Sequence, residues 1–525
     1  MPTPLDTLFS ALRASRRPSS VPEEETIAVS DTVAAAASAY EAVRNTLEYD
    51  DEHLMRRNAI RRILRRRIEE EASRPLASDS LRELIWARYL PNKKVPEAMI
   101  GTIAAVFEKY RPLFAAARAD KRRSEFLFDW ILDVVSTEVE YVLEPPVVDE
   151  ALASIAYREL KKRMVWANPQ VAEEDRDLQL YAAVHRAIVR SNLPTLRFRL
   201  FTLYYPAWPK AQPGDAVVQD VAAQLLTVVD AIERQLRHKA ADQMYRVARQ
   251  HSVVFHVFRD AASEEGNEFA EALERGDMDA VDKAVTKMTE RRYDRFRKRL
   301  FRSVLRAVLF LFVTKMFLAL VVEFPYEQVV LKETNLTPLL VNIFVPPLIL
   351  ALVGTSVRIP EKRNTKKILD EVHAILGTGK DFSVVLKPVG AWARGAGGIA
   401  FRLVYALLSV GTIGALAWGM SQFGFNKLSV TIFVFFLSLV LFMGLKIRAG
   451  TKDLVIVETG GGPIGVLADI LFLPIVRAGR WLSLRIPKVN VFLFFFDFLV
   501  EAPFKAAIRL FESWIAFMRE KKEEI

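Results

Sequence analysis

The sequence contains no cysteine. Disulfide bonds, thiolate metal sites, iron–sulfur clusters and cysteine nucleophiles are therefore excluded. Histidine is scarce as well, with 6 residues in 525, and only His251 and His256 are close neighbours in the sequence. Their spacing does not place them on one face of a helix, so we expect no metal site and no cofactor.

Motifs typical of enzymes are also lacking. The run Gly377 to Asp381 resembles the end of a phosphate-binding loop, but Ala374 replaces the first glycine that such a loop requires. Asp381 stands where serine or threonine would hold magnesium, and the sequence has no HExxH motif. We therefore expect a protein that is not an enzyme.

Charge is distributed unevenly along the chain. Residues 1–300 contain 47 Lys/Arg and 47 Asp/Glu, whereas residues 301–525 contain 26 Lys/Arg and 16 Asp/Glu. The whole net charge of +10 therefore lies in the second part. Basic proteins often bind nucleic acid, but here the excess flanks hydrophobic segments, as is typical of cytosolic membrane loops. Nucleic acid is therefore not an expected partner.

Before residue 300 the sequence predicts helices and few strands. Apolar residues recur at intervals of three and four in amphipathic segments, which run over about 95–117, 122–143, 148–166, 173–191 and 216–260. We expect an all-α fold with a disordered leader at 1–29 and a multi-helix cytosolic domain at 30–290. Pro145 and Pro146 mark a possible boundary within that domain, near residue 145.

Seven arginines lie between Arg56 and Arg67. An RNA- or lipid-binding helix would explain them, but no aromatic residue that could stack on bases occurs between residues 54 and 85. A solvated helical face with ion pairs such as Arg65–Glu69 and Arg66–Glu70 explains them as well. Charge runs are usually solvated, so we favour the solvated face.

Four segments after residue 300 are long and apolar enough to cross a bilayer as helices, since about 20 residues span its hydrocarbon core. They cover about 304–322, 336–354, 400–420 and 428–445. The last two are joined by a short turn and are predicted to form a transmembrane hairpin. The sequence thus predicts a polytopic helical membrane domain at 291–447.

The placement of lysine and arginine predicts the orientation of these spans. The approach to the first span is heavily basic, and the loop from Glu323 to Asn335 has one lysine and three glutamates. The loop from Thr355 to Ile399 has eight Lys/Arg and four acids. Basic loops stay in the cytosol. We therefore expect an integral membrane protein of the cell membrane with both termini in the cytoplasm.

The region 448–525 differs from the four spans. Its apolar stretches, 463–476 and 489–504, are short for full spans and have basic neighbours, which favours a re-entrant or interfacial region. An amphipathic stripe follows them, formed by Phe504, Ile508, Phe511, Ile515 and Met518. Two additional thin spans are the alternative interpretation.

Lys315 lies near the middle of the first predicted span, where an unpaired ammonium is costly. The short C-terminal stretches offer three carboxylates as its partners, namely Asp469, Asp497 and Glu501. An ion or proton pathway is one interpretation of these residues. A buried ion pair, or a lysine that reaches the headgroups from a tilted helix, is the other, and we favour it.

The second predicted span contains Pro346 and Pro347, with Asn342 as the nearby polar residue. Two prolines remove two backbone donors, so we expect them to break or kink the helix. Interrupted helices occur at transport sites. Prolines also occur in membrane helices simply as kinks, so this signal alone does not separate the two possibilities.

Three functions are compatible with these features. We favour a non-enzymatic, membrane-anchored scaffold that binds a protein partner, or itself, through the cytosolic domain. The alternatives are a transporter or channel subunit that uses the intramembrane charges, and a lipid-acting membrane enzyme with Asp453, Glu458 and Asp469 as candidate acids. Basic residues before the first span are expected to contact anionic lipid headgroups: Arg291, Arg292, Arg295, Arg297, Lys298, Arg299 and Arg302.

Overall fold

Helices make up nearly all the regular structure of the chain. The computed structural model describes residues 4–16, 25–30, 52–68, 72–167, 171–332, 336–357, 359–360, 362–386, 396–456 and 473–482. Within these ranges the only strands are Met164–Val165 (β1) and Val384–Val385 (β2), which pair in parallel. The all-α class predicted from the sequence is confirmed.

The helices before the membrane-spanning part are short to medium in length. In the described ranges they are α1 (Asp6–Ser15), α2 (Glu52–Arg67), α3 (Ser73–Trp86), α4 (Ala98–Ala119), α5 (Ser124–Leu143), α6 (Val147–Arg163), α7 (Glu173–Ala187), α8 (Leu193–Tyr204), α9 (Ala216–Ala223), α10 (Leu225–Leu236), α11 (Ala241–Glu264) and α12 (Gly266–Arg275). The amphipathic segment expected at 216–260 therefore consists of three helices. The chain turns at Gln224 and after Leu236, and neither turn contains the glycine or proline that would have indicated it.

Contacts divide the chain into two compact units. Among the described residues, the helical unit covers 5–161 and 171–248, and the membrane unit covers 4, 162–167 and 249–482. The boundary between these units falls inside α11, and Pro145 and Pro146 separate α5 from α6 within the helical unit. The domain boundary near residue 290 and the sub-boundary near residue 145 stay predictions.

Aromatic side chains form the centre of the helical unit. Trp130, Phe201 and Trp208 are fully buried, and their rings meet edge to face. The indole N–H of Trp208 donates to Glu138 at 2.9 Å, and the Tyr110 hydroxyl donates to the same carboxylate at 2.6 Å. Buried polar groups need such partners, so these bonds fix where the aromatic residues lie in the core.

The arginine-rich helix α2 is held by carboxylates of neighbouring helices. Arg61 donates to Asp133 at 2.7 Å and to Asp129 at 3.0 Å, and Arg65 also donates to Asp129 at 2.8 Å. The remaining pairs are Arg56–Glu140, Arg66–Glu83 and Arg67–Asp79. Arg65 and Arg66 are exposed, as a solvated face predicts, whereas Arg56, Arg61 and Arg67 are half-buried against acids on α3 and α5. Glu69 and Glu70 lie outside the described residues.

The first part of the expected disordered leader is a helix. Leu5, Leu8, Phe9 and Leu12 are buried along α1. Their spacing of three and four residues places them on one helical face, and this apolar face stabilises the short helix. Residues 17–24 of the expected leader lie outside the described residues.

Four helices of the membrane unit are long and apolar enough to cross a bilayer. They are α13 (Met278–Leu318), which continues as a helix to Leu331, α14 (Leu336–Thr355), α16 (Ala396–Gln422) and α17 (Lys427–Gly450). Helix α15 (Lys362–Leu376) lies between α14 and α16 in the chain, and a further helix, α18, covers 473–482. The chain is therefore a multi-pass membrane protein.

Small residues let these spans approach closely. Helix α14 packs against both α13 and α17. A Cβ built on Gly354 would lie 2.6 Å from a Val304 methyl, and one on Gly444 would lie 2.6 Å from a Val353 methyl. Membrane helices associate through such close packing of small residues, because lipid provides no hydrophobic driving force between them. Helices α13, α14 and α17 thus form one tightly packed group.

Candidate functional site

The side chain of Lys315 is fully buried in the first span, with 0% exposure. Asp277 caps helix α13, since its side chain accepts from the backbone N–H of Ala280. It runs without proline through Lys315, which lies about 16 Å beyond Val304 at 1.5 Å per residue. At this depth an ammonium requires a polar partner within the protein.

Asn342 of the second span is that partner. The Lys315 Nζ donates to Asn342 Oδ1 at 2.6 Å, and Asn342 Nδ2 donates to Glu323 Oε2 at 2.6 Å. One amide therefore joins the ammonium to a carboxylate. The ring of Phe436 lies 4.3 Å from the Lys315 Nζ, measured to its centroid, in the geometry of a cation–π contact.

Glu323 and Glu327 lie on widened helical turns at the end of the first span. Residues Ala319–Glu323 and Glu327–Leu331 are π-helical, and both glutamates are buried. Pro325 lies between the two turns and has no N–H to donate to the carbonyl four residues earlier, which favours a locally wider helix. Single π-helical turns inside α-helices often occur at functional sites.

The fourth span contributes its first turn. Asn426 caps α17 by accepting from the Ser429 backbone N–H at 2.8 Å, and its Nδ2 donates to Glu327 Oε1 at 3.2 Å. The Ser429 carbonyl lies 3.4 Å from Asn342 Nδ2. We call Lys315, Glu323, Glu327, Asn342, Asn426 and Ser429 the intramembrane polar cluster. Three spans meet in it.

The proline pair does not interrupt the second span. Helix α14 is continuous across Pro346 and Pro347, both of which are buried, so the expected helix break is corrected. Contacts with helices on both sides hold the turn in place where the two hydrogen bonds are missing. Because Pro346 has no N–H, the backbone carbonyl of Asn342 lacks its usual helical donor, which leaves an acceptor beside the cluster.

The structure brings Lys315 and Asn342 together, but the carboxylate that it places beside them was not among the expected partners. The sequence places Glu323 in an external loop, because residues Glu323 to Asn335 contain one lysine and three glutamates. Its spacing of eight residues from Lys315 could have revealed it, since two helical turns return to the same face. The expected partners Asp469, Asp497 and Glu501 lie outside the described residues.

Three segments that flank the spans meet at Asn364 of α15. Its Nδ2 donates to the Tyr293 hydroxyl at 2.8 Å and to the Leu454 carbonyl at 2.7 Å, and its Oδ1 accepts from the Ile456 N–H at 2.9 Å. These bonds join the approach to the first span, the loop after the second and the segment after the fourth. We call this set the Asn364 tie.

The same region contains a second group of contacts. His251 Nδ1 lies 3.0 Å from Glu371, its ring stacks on Phe382, and both histidine and glutamate are buried. Arg249 donates to the Ala449 carbonyl at 2.8 Å and contacts Asp453 at 2.5 Å. Asp453, a candidate acid for lipid chemistry, is therefore neutralised by an arginine.

Carboxylates of α11 bind part of the basic approach to the first span. Arg292 and Arg295 lie 3.0 Å and 3.1 Å from Asp260, and Arg291 pairs with Glu264. Burial lowers the pKa of Arg292, although Asp260 opposes this effect. Arg297 pairs with Asp294 on its own helix. Farther along, the exposed residues without an ion pair in the described structure are Lys298, Arg299, Arg302 and Arg306.

The intramembrane polar cluster combines an ammonium, two carboxylates and two amides, and the ammonium, both carboxylates and the Asn342 amide are buried. Within the described ranges no three His, Asp or Glu side chains converge in a way that could hold a metal ion. Comparison of the chain with protein-family models, with curated proteins and with solved structures finds no match in any of the three.

Proposed function

We propose that the protein is a transporter or channel subunit in which the intramembrane polar cluster binds the transported species. The observation that supports this proposal is the meeting of Lys315, Asn342 and Glu323 inside the spanning helices, linked by two hydrogen bonds of 2.6 Å. Ionisable residues at this depth are costly, and they usually mark ion pathways or proton relays.

Two further features support transport over a purely structural ion pair. Both buried glutamates lie on π-helical turns of the first span, and Asn342 lies one turn before a proline pair that removes two backbone donors from the continuous second span. Transport sites commonly have irregular helices that offer free backbone acceptors. The sequence favours a structural ion pair at Lys315, because the third and fourth predicted spans contain few polar residues. In the structure the first turn of the fourth span adds Asn426 and Ser429 to the cluster.

We further propose that the Asn364 tie lies in the cytosol. Asn364 contacts both Tyr293 and Leu454, so the three segments that contain these residues lie on one side of the bilayer. Lysine and arginine are concentrated in these segments, which favours the cytosolic side. On this proposal the end of the first span at Leu331 faces the outside.

Reconstitution of the full chain into liposomes tests the transport proposal. We expect the native protein to carry protons, sodium, potassium or chloride at a rate above protein-free liposomes, as measured with dyes specific for each ion. Lys315→Leu should reduce this flux to background, because it removes the ammonium that orients Asn342.

The matched control is Lys366→Leu, since Lys366 is an exposed lysine of α15. Its flux should equal that of the native protein. Background flux of all four ions by the native chain, in liposomes that contain correctly folded protein, would rule out the proposed function.

A membrane-anchored interaction protein is the second candidate. The Asn364 tie supports it, because these hydrogen bonds hold three segments beside the spans together in one ordered structure. Purification of the full chain in mild detergent should then recover a stoichiometric partner or a homo-oligomer, whereas repeated recovery of a monomer alone would contradict it.

A further inference from the structure

The direction of the Asn342 amide limits which ligand the intramembrane polar cluster can bind. The ammonium of Lys315 can only donate hydrogen bonds, so the amide oxygen must face it. The amide N–H groups therefore face Glu323, as the 2.6 Å contact shows. Glu323 thus has a hydrogen-bond donor, and not another oxygen, on this side.

A metal cation fits this arrangement poorly. Hard cations are bound by several oxygens that converge on one point. At Glu323 the nearest side chain presents N–H groups, and the cation Lys315 lies on the other side of the same amide. A second positive ion would be repelled by Lys315, and within the described residues no three His, Asp or Glu side chains converge to hold it. A proton requires only one carboxylate oxygen.

An anion fits no better. Its natural partner would be the Lys315 ammonium, but Asn342 occupies one side of that group and the Phe436 ring covers another. The nearby carboxylates Glu323 and Glu327 would also repel it. The cluster is therefore suited to a species that is cationic, small and able to bond to a single oxygen.

We propose that the intramembrane polar cluster binds a proton and that the Glu323 carboxylate takes it up. This inference rests on the proposed transport function. An O–H bond forms on the Glu323 carboxylate as the proton leaves a hydronium ion, and a water molecule is released. Release of the proton reverses these changes. The charged groups that interact with Glu323 in the described structure are Lys315 and Glu327, and the neutral ones are Asn342 and Ser429.

Glu327 provides the next position along the same helix. It lies four residues after Glu323, about one turn closer to Leu331, and it accepts from Asn426 at the start of the fourth span. Residues four apart share a helical face. A proton that enters from the Leu331 end therefore meets Glu327 before it reaches Glu323.

Infrared spectroscopy of the full chain in lipid nanodiscs measures this protonation directly. We expect the carboxylic-acid C=O band to grow as the pH is lowered, and to lose one buried component in Glu323→Gln. The control is Glu290→Gln, which removes an exposed carboxylate of α13 and should leave that buried component unchanged. In liposomes, Glu323→Gln should abolish flux driven by a pH gradient.

A band that is the same in the native chain and in folded Glu323→Gln would overturn the inference. If Glu323→Gln does not fold, Glu323→Asp provides the second test, because it should retain a buried acid band at a shifted frequency. A frequency equal to that of the native chain would also overturn it. Ion flux by the native chain that does not depend on protons would contradict proton binding at Glu323 but not the transport function. A buried carboxylic-acid band that depends on Glu323, without flux of any ion, would contradict the transport function.

Discussion

Gly354 at the end of the second span faces Val304 at the start of the first so closely that an added Cβ would lie 2.6 Å from a valine methyl. Real Cβ atoms do not approach other atoms to that distance, so the contact requires glycine. It fixes the separation of the two helices that carry Lys315 and Asn342. The Gly354–Val304 contact and the hydrogen bonds of the intramembrane polar cluster therefore depend on the same distance between the first and second spans.

Gly354→Ala should lower the free energy of unfolding by about 1–3 kcal/mol, as overpacking of tight interiors does. The methyl group would force Val304 or the helix itself to shift. Thermal unfolding of the detergent-solubilised chain measures the loss. Val304→Ala combined with Gly354→Ala should recover much of it, because the shorter side chain makes room.

Gly411→Ala is the control for this substitution. Gly411 lies in the third span and an added Cβ would meet nothing within 4 Å. Alanine is also the better helix former, so stability should be unchanged or slightly higher. Equal destabilisation by Gly411→Ala and Gly354→Ala would show that the Val304 contact does not matter.

Asn342→Leu should destabilise the chain on the order of 3 kcal/mol, because it leaves the Lys315 ammonium and the Glu323 carboxylate buried without their shared partner. Unfolding in detergent, followed by tryptophan fluorescence, measures the change. A variant that carries Lys315→Leu, Asn342→Leu and Glu323→Leu together should regain much of the loss, since no charge is then stranded. A triple variant less stable than Asn342→Leu would contradict this explanation.

The spans were predictable from sequence because their physical requirement is simple. A helix needs about 20 apolar residues to cross the hydrocarbon core, and the expected ranges 336–354 and 428–445 fall inside helices Leu336–Thr355 and Lys427–Gly450. The end of the first span was placed too early, at residue 322. Hydropathy falls at Glu323, but the helix continues to Leu331 because its polar residues are buried against Asn342 and Asn426.

Tertiary pairing was harder to predict than helix formation. Arg65 and Arg66 each have a glutamate four residues later in the sequence, and local spacing favours those pairs. In the structure they contact Asp129 and Glu83, which belong to other helices. Sequence spacing describes one helix at a time, whereas the choice among several carboxylates depends on which helices pack together.

Asn364→Ala should loosen the Asn364 tie without unfolding the spans. It removes the hydrogen bonds to Tyr293, Leu454 and Ile456, each of which contributes about 1 kcal/mol. We expect faster cleavage between the second and third spans when the chain in nanodiscs is treated with protease. Asn267→Ala, at an exposed position of α12, is the control and should be cleaved at the native rate. Unchanged cleavage of Asn364→Ala would argue against the tie.

Exposed basic residues at the start of the first span should bind anionic lipids. Arg299, Arg302 and Arg306 are spaced by three and four residues on one helical face and form no ion pair within the described structure. Their combined change to glutamine should reduce the preference for anionic over zwitterionic lipid by about 1 kcal/mol per residue. Native mass spectrometry of lipids retained by the purified chain measures this preference.

Arg275→Gln is the control for the lipid experiment, because Arg275 belongs to α12 and already pairs with Glu271. The preference of the native chain should also weaken at high salt, since exposed charges are screened. A triple variant that retains its anionic lipids at the native level would show that the face formed by Arg299, Arg302 and Arg306 is not the binding surface.

His185 should make the helical unit less stable in mild acid. Burial lowers the pKa of His185 well below its ordinary value of 6.5, and the nearby Arg199 lowers it further. His185 therefore binds a proton less readily in the folded state than in the unfolded chain. Between the folded pKa and 6.5 the unfolded chain binds more protons, so stability is retained above 6.5 and falls as the pH decreases, by at most about 1.4 kcal/mol per pH unit.

Thermal unfolding of the full chain in detergent across this pH range measures the effect. His185→Gln should lose less stability than the native chain as the pH falls, because glutamine does not titrate. His238→Gln, which removes a partly exposed histidine of the same unit, should leave that slope in place. If His185→Gln and the native chain lose stability in parallel as the pH falls below 6.5, acid sensitivity arises from other groups and His185 does not control it.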